Sequence, residues 1–132
     1  MHNKKVIVLT ALFIFLLSSV CMAQTSSDRW TEFYVDESSG FYYDSQTMQY
    51  NSNKTECTVW IMVIMPKENK YDIFLANTKK DRSLFLKEYY SYHLYTGELL
   101  GCITQEKEYR ITIPPLSKFE MLYNLLFPQN VK

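Results

Sequence analysis

The sequence predicts an α+β domain that is mainly β, with an antiparallel β-meander of about six strands and a C-terminal helix packed on the sheet. Short segments of aromatic and β-branched residues follow one another between short polar turns, which is typical of consecutive antiparallel strands. The 132 residues include eleven Tyr and eight Phe but only three Gly and four Pro, a composition that favours packed sheet over linker. A helix-start signal follows the last alternating segment.

The first predicted strands are short and aromatic. Trp30 to Val35 forms one strand, and Phe41 to Asp44 forms the next after a polar turn. Thr58 to Met65 is a continuous apolar run rich in β-branched residues, which favours a central strand covered on both faces. A buried helix is the alternative for this run, but Pro66 would stop that helix early.

The later predicted strands alternate more clearly. Tyr71 to Thr78 places its apolar residues on one face, and Leu84 to Tyr95 alternates along its length. A tight turn at Thr96-Gly97 leads into Glu98 to Thr104, and another alternating segment runs from Tyr109 to Ile113. For the long segment the pattern predicts one face with Leu84, Leu86, Tyr90, Tyr92 and Leu94, and a more polar face with Phe85, Lys87, Tyr89, Ser91, His93 and Tyr95.

The terminal helix has the most specific signals. Pro114-Pro115 ends the sheet because proline has no N–H to donate to a strand ladder. Ser117 then begins a helix, with Glu120 as its reciprocal partner in a capping box and with Leu116 and Met121 at the two hydrophobic-staple positions. The next proline ends the helix. The predicted apolar stripe, which would cover one face of the sheet, consists of Phe119, Leu122, Leu125 and Leu126.

Residues 1–23 have the pattern of a secretory signal peptide. Lys4 and Lys5 precede the uncharged apolar run Val6 to Val20, and Cys21-Met22-Ala23 offers small residues before a cleavage site. The run is shorter than the ~20 residues that a transmembrane helix needs, so a cleaved signal is favoured over an anchor. Lipid attachment at Cys21 is a second alternative, although the residue before that cysteine suits a lipoprotein signal poorly.

Export would leave a short flexible segment at 24–29, a single domain at 30–128 and a location in the periplasm or on a bacterial cell surface. Cys57 and Cys102 would then remain in an oxidising environment, and they form a candidate disulfide. The alternative is a pair of buried thiols that act as small apolar residues. No CxxC motif is present, so neither a redox pair nor a zinc knuckle is indicated.

Charge and motif content argue against nucleic-acid binding and against catalysis. Fourteen Lys and Arg balance fourteen Asp and Glu, which excludes a polyanion-binding protein driven by bulk charge. After signal cleavage the one histidine is His93, on the polar side of a strand and without spaced metal ligands. Asp44-Ser45 is interpreted as a turn and Glu106-Lys107-Glu108 as a solvated hairpin tip. No motif for phosphate, zinc or a nucleophilic serine occurs, so we expect no enzyme activity, cofactor or metal.

Tyrosine is the residue type in clear excess. The richest segment contains Tyr89, Tyr90, Tyr92 and Tyr95. One interpretation is that these rings form cross-strand pairs that stabilise the sheet. The other is an exposed aromatic face for a protein or glycan partner, since tyrosine combines an apolar ring with a hydroxyl. On the second interpretation Tyr89 and Tyr95 are the candidate binding residues.

The ordered features of the chain resemble a known family. They are Trp30 after the signal, Tyr42-Tyr43-Asp44-Ser45, Val59-Trp60, Tyr95-Thr96-Gly97, and Ile113-Pro114-Pro115-Leu116-Ser117 before the helix. Together they resemble the surface-adhesin protein E-like family of small exported bacterial proteins, over roughly 30–127. The resemblance implies an antiparallel sheet with a C-terminal helix and a bacterial envelope location. It also identifies family-pattern structural residues: Trp30, Tyr43, Asp44, Trp60, Tyr95, Gly97, Pro115 and Ser117. Among them, Trp30 and Trp60 are interpreted as core anchors, and Asp44 and Gly97 as turn formers.

Two departures limit what the resemblance carries over. Family members often have a cysteine near the end of the terminal helix, and Leu126-Phe127-Pro128 has none. Their second cysteine commonly lies on a later strand, where this chain has tyrosines. The family's disulfide therefore does not transfer, and Cys57–Cys102 would be a different bridge.

The functional expectation is a non-enzymatic, exported bacterial domain that binds another protein. The family takes its name from a surface adhesin that contacts host matrix proteins, so our first hypothesis is that this protein is an adhesin. The alternative is a periplasmic structural or accessory protein that docks on an envelope complex. Exposed sheet edges would also allow a homodimer.

Overall fold

The computed structural model describes residues 29–129, except for the side chains of 105–109. The predicted signal peptide, including Cys21, and nearly all of the predicted segment 24–29 therefore lie outside the described residues. The elements are β1 (Trp30–Val35), β2 (Gly40–Asp44), β3 (Gln49–Tyr50), β4 (Glu56–Met65), a 3-10 turn (Pro66–Glu68), β5 (Lys70–Lys79), β6 (Ser83–His93), β7 (Leu99–Thr112) and helix α1 (Lys118–Leu126).

The strands form one antiparallel meander, which confirms the predicted α+β, mainly β class. The order across the sheet is β1-β2-β4-β5-β6-β7, and the two-residue β3 pairs with β4 beside β2. Strands β4 and β5 pair along their whole length, from Glu56 opposite Lys79 to Met65 opposite Lys70. This long central pair explains why the apolar run at Thr58 to Met65 gave the clearest strand signal.

A loop at 45–48 separates β2 from β3, and Asp44 holds it. The Asp44 carboxylate accepts hydrogen bonds from the Gln46 N–H at 3.1 Å and from the Thr47 hydroxyl at 2.6 Å. Its side chain is fully buried. The turn predicted at Asp44-Ser45 is confirmed, and it lets one edge of β4 pair with two short strands.

A β-bulge at Lys87 divides β6 into two halves. Leu86 lies opposite Ala76 and Glu88 lies opposite Leu75, so Lys87 is an extra residue. Because side chains alternate along a strand, one extra residue reverses the facing of everything after it. The predicted common face of Leu84 and Tyr90 is therefore wrong, since the two side chains point to opposite sides of the sheet.

Strand β7 differs from the two segments predicted for it. It runs unbroken from Leu99 to Thr112, so the predicted hairpin tip at Glu106-Lys107-Glu108 is wrong. The ladder opposite β6 passes from Leu86–Tyr109 to Glu88–Thr104, which leaves 105–108 facing the bulge at Lys87. Two irregularities thus lie side by side, and the charged segment stays within an edge strand.

Helix α1 covers one face of the sheet, as predicted. The Phe119 ring centre lies 6.5 Å from that of Phe41 and 6.3 Å from that of Phe74. Leu122 and Leu126 are buried against the same face. The core under the helix comprises Phe33, Phe41, Cys57, Val59, Ile61, Val63, Phe74, Ala76, Leu84, Ile113, Leu122, Tyr123, Leu126 and Phe127.

The start of the helix is confirmed in part. The Ser117 hydroxyl accepts the Glu120 N–H at 3.3 Å, which is the predicted N-cap. The Glu120 carboxylate returns to the N–H of Leu116 rather than to that of Ser117. The predicted staple is wrong, because Leu116 has a φ of 60° and is 97% exposed. Leu125 is also 52% exposed, so it does not belong to the apolar stripe.

Candidate functional site: the uncovered aromatic face

The sheet face opposite helix α1 is apolar and aromatic. We call it the open face, because every contact described above for helix α1 lies on the other side, which we call the covered face. Strand register and alternation place ten large apolar side chains on the open face, all half-buried: Tyr42, Trp60, Met62, Ile64, Tyr71, Ile73, Leu75, Phe85, Tyr90 and Tyr92.

The aromatic rings of the open face pack on one another across strands. Tyr71 and Tyr92 lie directly opposite and are stacked, with ring centres 5.1 Å apart and an interplanar angle of 17°. The Trp60 and Tyr90 ring centres are 6.3 Å apart. These contacts bury part of each ring and leave the outward side available, which accounts for their intermediate exposure.

Polar groups occur at defined points of this face. The Tyr90 hydroxyl donates to a Glu88 carboxylate oxygen at 3.0 Å, and this bond to an acidic group raises the pKa of Tyr90 above its usual 10.0. At the other end, Lys79 Nζ lies 4.7 Å and the Arg110 guanidinium 5.9 Å from the Phe85 ring centre. Lys79 pairs with Glu56 at 3.3 Å and Arg110 with Asp81 at 3.9 Å, so the face combines an apolar centre with an end where paired cations lie against an aromatic ring.

Tyr89 does not belong to this surface. The bulge at Lys87 turns it to the covered face, where it packs against the core. Its hydroxyl donates to the Asp72 carboxylate, which also accepts the Ser91 hydroxyl at 2.6 Å, and Asp72 is only 7% exposed. Burial, reinforced by that bond, raises the pKa of Tyr89 to about 12. The structure thus removes Tyr89 from the predicted binding residues and gives it a place in a buried polar network.

Tyr95 is exposed but lies apart from the open face. It sits in the turn between β6 and β7 and is 76% exposed. The His93 Nδ1 atom accepts the N–H groups of Tyr95 and Thr96, both at 3.3 Å. His93 therefore caps a turn. Gly97 completes that turn with a φ of 69°, a conformation that glycine adopts without steric cost.

Cys57 and Cys102 are free thiols, so the candidate disulfide is wrong. Cys57 is buried on the covered face of β4, while Cys102 lies opposite Tyr90 on the open side of β7. Strands β5 and β6 separate them, and three strand spacings amount to about 14 Å. A disulfide needs Cα atoms about 4.4–6.8 Å apart, with side chains that point towards each other.

The family-pattern residues comprise turn formers, one ring that packs against the core, and surface rings. Asp44, Gly97 and Ser117 have the local roles described above, and Pro115 stands in the turn before helix α1. Tyr43 packs against the core, with its ring centre 6.3 Å from that of Phe33.

The two tryptophans of the family pattern are not core residues. Trp60 is a central ring of the open face, so its predicted role as a core anchor is wrong. Trp30 is half-buried at the start of β1, and the Arg29 guanidinium lies 5.6 Å from its ring centre.

The sequence analysis did not name four aromatic residues of the open face as candidate binding residues: Trp60, Tyr71, Tyr90 and Tyr92. For Trp60 a signal was available, because alternating positions of β4 carry compact β-branched residues at 59, 61 and 63 and large, broad ones at 60 and 62. For Tyr90 and Tyr92 no local signal exists, since their side depends on the bulge.

Two further findings concern the part of the chain that the structure describes. None of its helices is long and apolar enough to cross a membrane. It also contains no group of three His, Cys, Asp or Glu residues that could hold a metal ion. Comparison with protein-family models, with curated proteins and with solved structures gives no match to this chain. The resemblance to the surface-adhesin protein E-like family therefore stays a prediction.

Proposed function

We propose that this protein is a non-enzymatic, exported bacterial domain that binds another protein through the open face. The observation that supports it most is the contrast within one sheet, where helix α1 covers one side and ten large apolar side chains lie on the other. Contiguous apolar patches of this kind on a monomer mark interaction sites.

A protein partner suits the chemistry of the open face better than a nucleic acid does. Aromatic residues and methionine are enriched at protein interfaces, and Trp60, Met62 and Tyr90 provide them together. The chain has no excess positive charge to neutralise phosphates. The partner surface we expect is apolar, because the two cations beside Phe85 are already paired with Glu56 and Asp81.

Whether the domain lies on the cell surface or in the periplasm is a separate question. The resemblance favours the cell surface and an adhesin that contacts host matrix proteins. The alternative is a periplasmic accessory protein whose open face docks on an envelope complex. Protease treatment of intact and permeabilised cells, with a periplasmic marker as control, separates the two. Digestion in intact cells supports the adhesin, whereas protection until permeabilisation contradicts it.

The binding surface itself is tested by site-specific photo-crosslinking in the native cell. A benzophenone amino acid replaces Tyr71 in one strain and Met121 in the other, since Met121 is an exposed position on helix α1. We expect a defined adduct with one protein from position 71 and none from position 121. Trp60→Ser should then abolish the adduct from position 71, while circular dichroism reports an intact sheet.

Equal adducts from both positions, or none from position 71, would contradict binding through the open face. An adduct that survives Trp60→Ser would also contradict it, because that ring lies at the centre of the proposed contact.

A further inference from the structure

A cleft lies on the covered side of the molecule, at the C-terminal end of helix α1. Its principal lining residues are Tyr50, Lys54, Lys80, Tyr123, Phe127 and Pro128, and we call it the C-terminal cleft. Its volume is about 750 Å³. Small-molecule sites typically have about 300–1,000 Å³, so the cleft is large enough for a small organic ligand.

The walls of the C-terminal cleft are tied to one another by hydrogen bonds. The Tyr50 hydroxyl donates to the Leu126 carbonyl at 2.6 Å, which joins β3 to the helix. The Tyr123 hydroxyl donates to the Lys80 carbonyl at 2.7 Å, and the Lys80 N–H donates to the Thr55 carbonyl at 2.8 Å. These bonds join the helix to both lysine-bearing turns, so the cleft is formed before any ligand arrives.

One wall of the cleft is aromatic. The Phe127 ring centre lies 6.2 Å from that of Tyr50, with the rings nearly perpendicular, and 5.4 Å from that of Tyr123. The Tyr50 hydroxyl is bonded to a backbone carbonyl and its side chain is 37% exposed, whereas Tyr123 and Phe127 are buried, so Tyr50 presents most of the aromatic surface of this wall. This wall favours a flat apolar group.

Two lysines, Lys54 and Lys80, also line the cleft. Among the described residues, no carboxylate lies within ion-pair distance of Lys54 or Lys80, and the lining contains no acidic residue. The nearest acidic groups in sequence are engaged elsewhere, since Glu56 pairs with Lys79 at 3.3 Å and Asp81 accepts the Ser83 N–H at 2.9 Å. The end of helix α1 offsets only about half a charge, so the C-terminal cleft remains positive.

The turn that carries Lys54 is fixed in place. Lys54 has a φ of 55°, and its N–H donates to the Asn51 carbonyl at 3.1 Å. The Asn51 side-chain oxygen accepts the N–H groups of Thr55 at 2.8 Å and Glu56 at 3.0 Å. A lysine held in this left-handed conformation by its neighbours is presented from a constrained backbone position.

A second cleft of similar size shows that this charge is not a general property of the helix ends. It lies at the N-terminal end of helix α1 and has a volume of about 810 Å³. Its one lysine, Lys118, is paired with Asp36 at 3.0 Å and lies 4.7 Å from the Phe41 ring centre. The charge at that cleft is therefore neutralised, and of these two clefts in the described part of the chain the C-terminal one combines an aromatic wall with unpaired ammonium groups.

We propose that the C-terminal cleft binds a small aromatic carboxylic acid, with the flat group against the Tyr50 ring and the carboxylate between Lys54 and Lys80. This site is separate from the open face and does not depend on the proposed protein partner. Binding is non-covalent and needs no further group.

The test is an NMR titration of the protein, purified as its cell produces it and labelled with ¹⁵N. The probes are 3-phenylpropionate and its neutral isostere 3-phenylpropionamide. We expect saturable shifts of the backbone amides of Lys54, Lys80 and Phe127 with the carboxylate. The neutral amide should bind about three- to tenfold more weakly, because it forms neither of the two solvent-exposed ion pairs and such pairs contribute modestly.

Variants assign the effect to the cleft. The double variant Lys54→Gln/Lys80→Gln should bind the carboxylate about three- to tenfold more weakly than the parent does. Its affinity for the amide should be unchanged. Lys67→Gln, at an exposed lysine of the 3-10 turn, is the matched control and should bind as the parent does. Equal affinity for both probes, unchanged affinity in the double variant, shifts confined to the open face, or no saturable shift would each overturn the proposal.

Discussion

The two sides of β4 differ more than its sequence indicates. On the covered face, Val59, Ile61 and Val63 are buried under helix α1, whereas on the open face Trp60 and Met62 remain half-buried. The run is apolar on both sides, and it was predicted to be covered on both. An apolar run therefore predicts that both faces of a strand contact apolar groups, but it does not predict that a second layer covers each face. On the open face of β4, neighbouring side chains of the same sheet provide the contact.

The largest expected difference between the two faces is in stability. Ile61→Ala removes a fully buried side chain and leaves a cavity, so we expect a loss of about 3–4 kcal/mol in the free energy of unfolding. Ile64→Ala, on the other side of the same strand, should lose only about 1 kcal/mol because solvent and neighbours fill the space. Urea denaturation measures both, and equal losses would show that the open face is packed as tightly as the core.

Thiol reactivity should separate the faces by about 100-fold. Burial raises the pKa of Cys57 to about 11 from 9.0, and the thiolate is the reactive form. Cys102 is exposed at the end of the open face. Iodoacetamide alkylation of the native protein, followed by peptide mapping, should label Cys102 first, with Cys57 labelled only on unfolding. Comparable labelling of both cysteines would contradict the assignment of Cys57 to the covered face.

The adjacent tyrosines of β6 provide a smaller and closely matched comparison. Tyr89→Phe removes a donor to the buried Asp72 carboxylate and should lower the free energy of unfolding by about 1–2 kcal/mol. Tyr90→Phe removes an exposed-side bond to Glu88 and should change it by less than about 0.5 kcal/mol. Denaturation of both variants at pH 7 tests this, and the reverse order would place the bulge elsewhere.

The smallest expected effect concerns pH at the edge of the covered face. The Leu116 N–H, and then Arg82 at 2.8 Å, hold the pKa of Glu120 below its usual 4.5 in the folded protein. A depressed folded pKa means that this stabilisation is fully present above about pH 4.5 and is lost as the pH falls through the folded value. The parent should therefore exceed Glu120→Gln in free energy of unfolding at pH 7, and this excess should shrink as the pH is lowered to 3. Urea denaturation of both proteins at the two pH values measures it. An unchanged difference would show that the carboxylate contributes nothing.

Local signals predicted much of the fold. The strand at Thr58 to Met65, the turn at Gly97 and the N-cap at Ser117 each follow from residue types within a few positions, and the structure confirms all three. The antiparallel meander also followed from short connections between consecutive segments, whereas the order in which the strands pair was not predicted.

The candidate site was predicted less well, and the reason is the bulge. Alternation assigns Tyr89 and Tyr90 to faces only if every residue of β6 takes one place in the ladder, and Lys87 takes none. The residue types around Lys87 do not indicate a bulge, because the bulge arises from the pairing of β6 with β5 and β7. The disulfide was mispredicted for a related reason, because the distance between Cys57 and Cys102 depends on the order of strands across the sheet.

Lys87 lies outside the β6 ladder, so the facing of its neighbours does not depend on its presence. Deletion of Lys87 would place Leu86 and Glu88 on consecutive rungs, opposite Ala76 and Leu75 as they are now, and would leave Tyr90 on the open face and Tyr89 on the covered face. In homologous chains, a single-residue gap at this point should therefore leave the residue types downstream unchanged. An alignment that places the gap elsewhere would pair residues from opposite sides of the sheet.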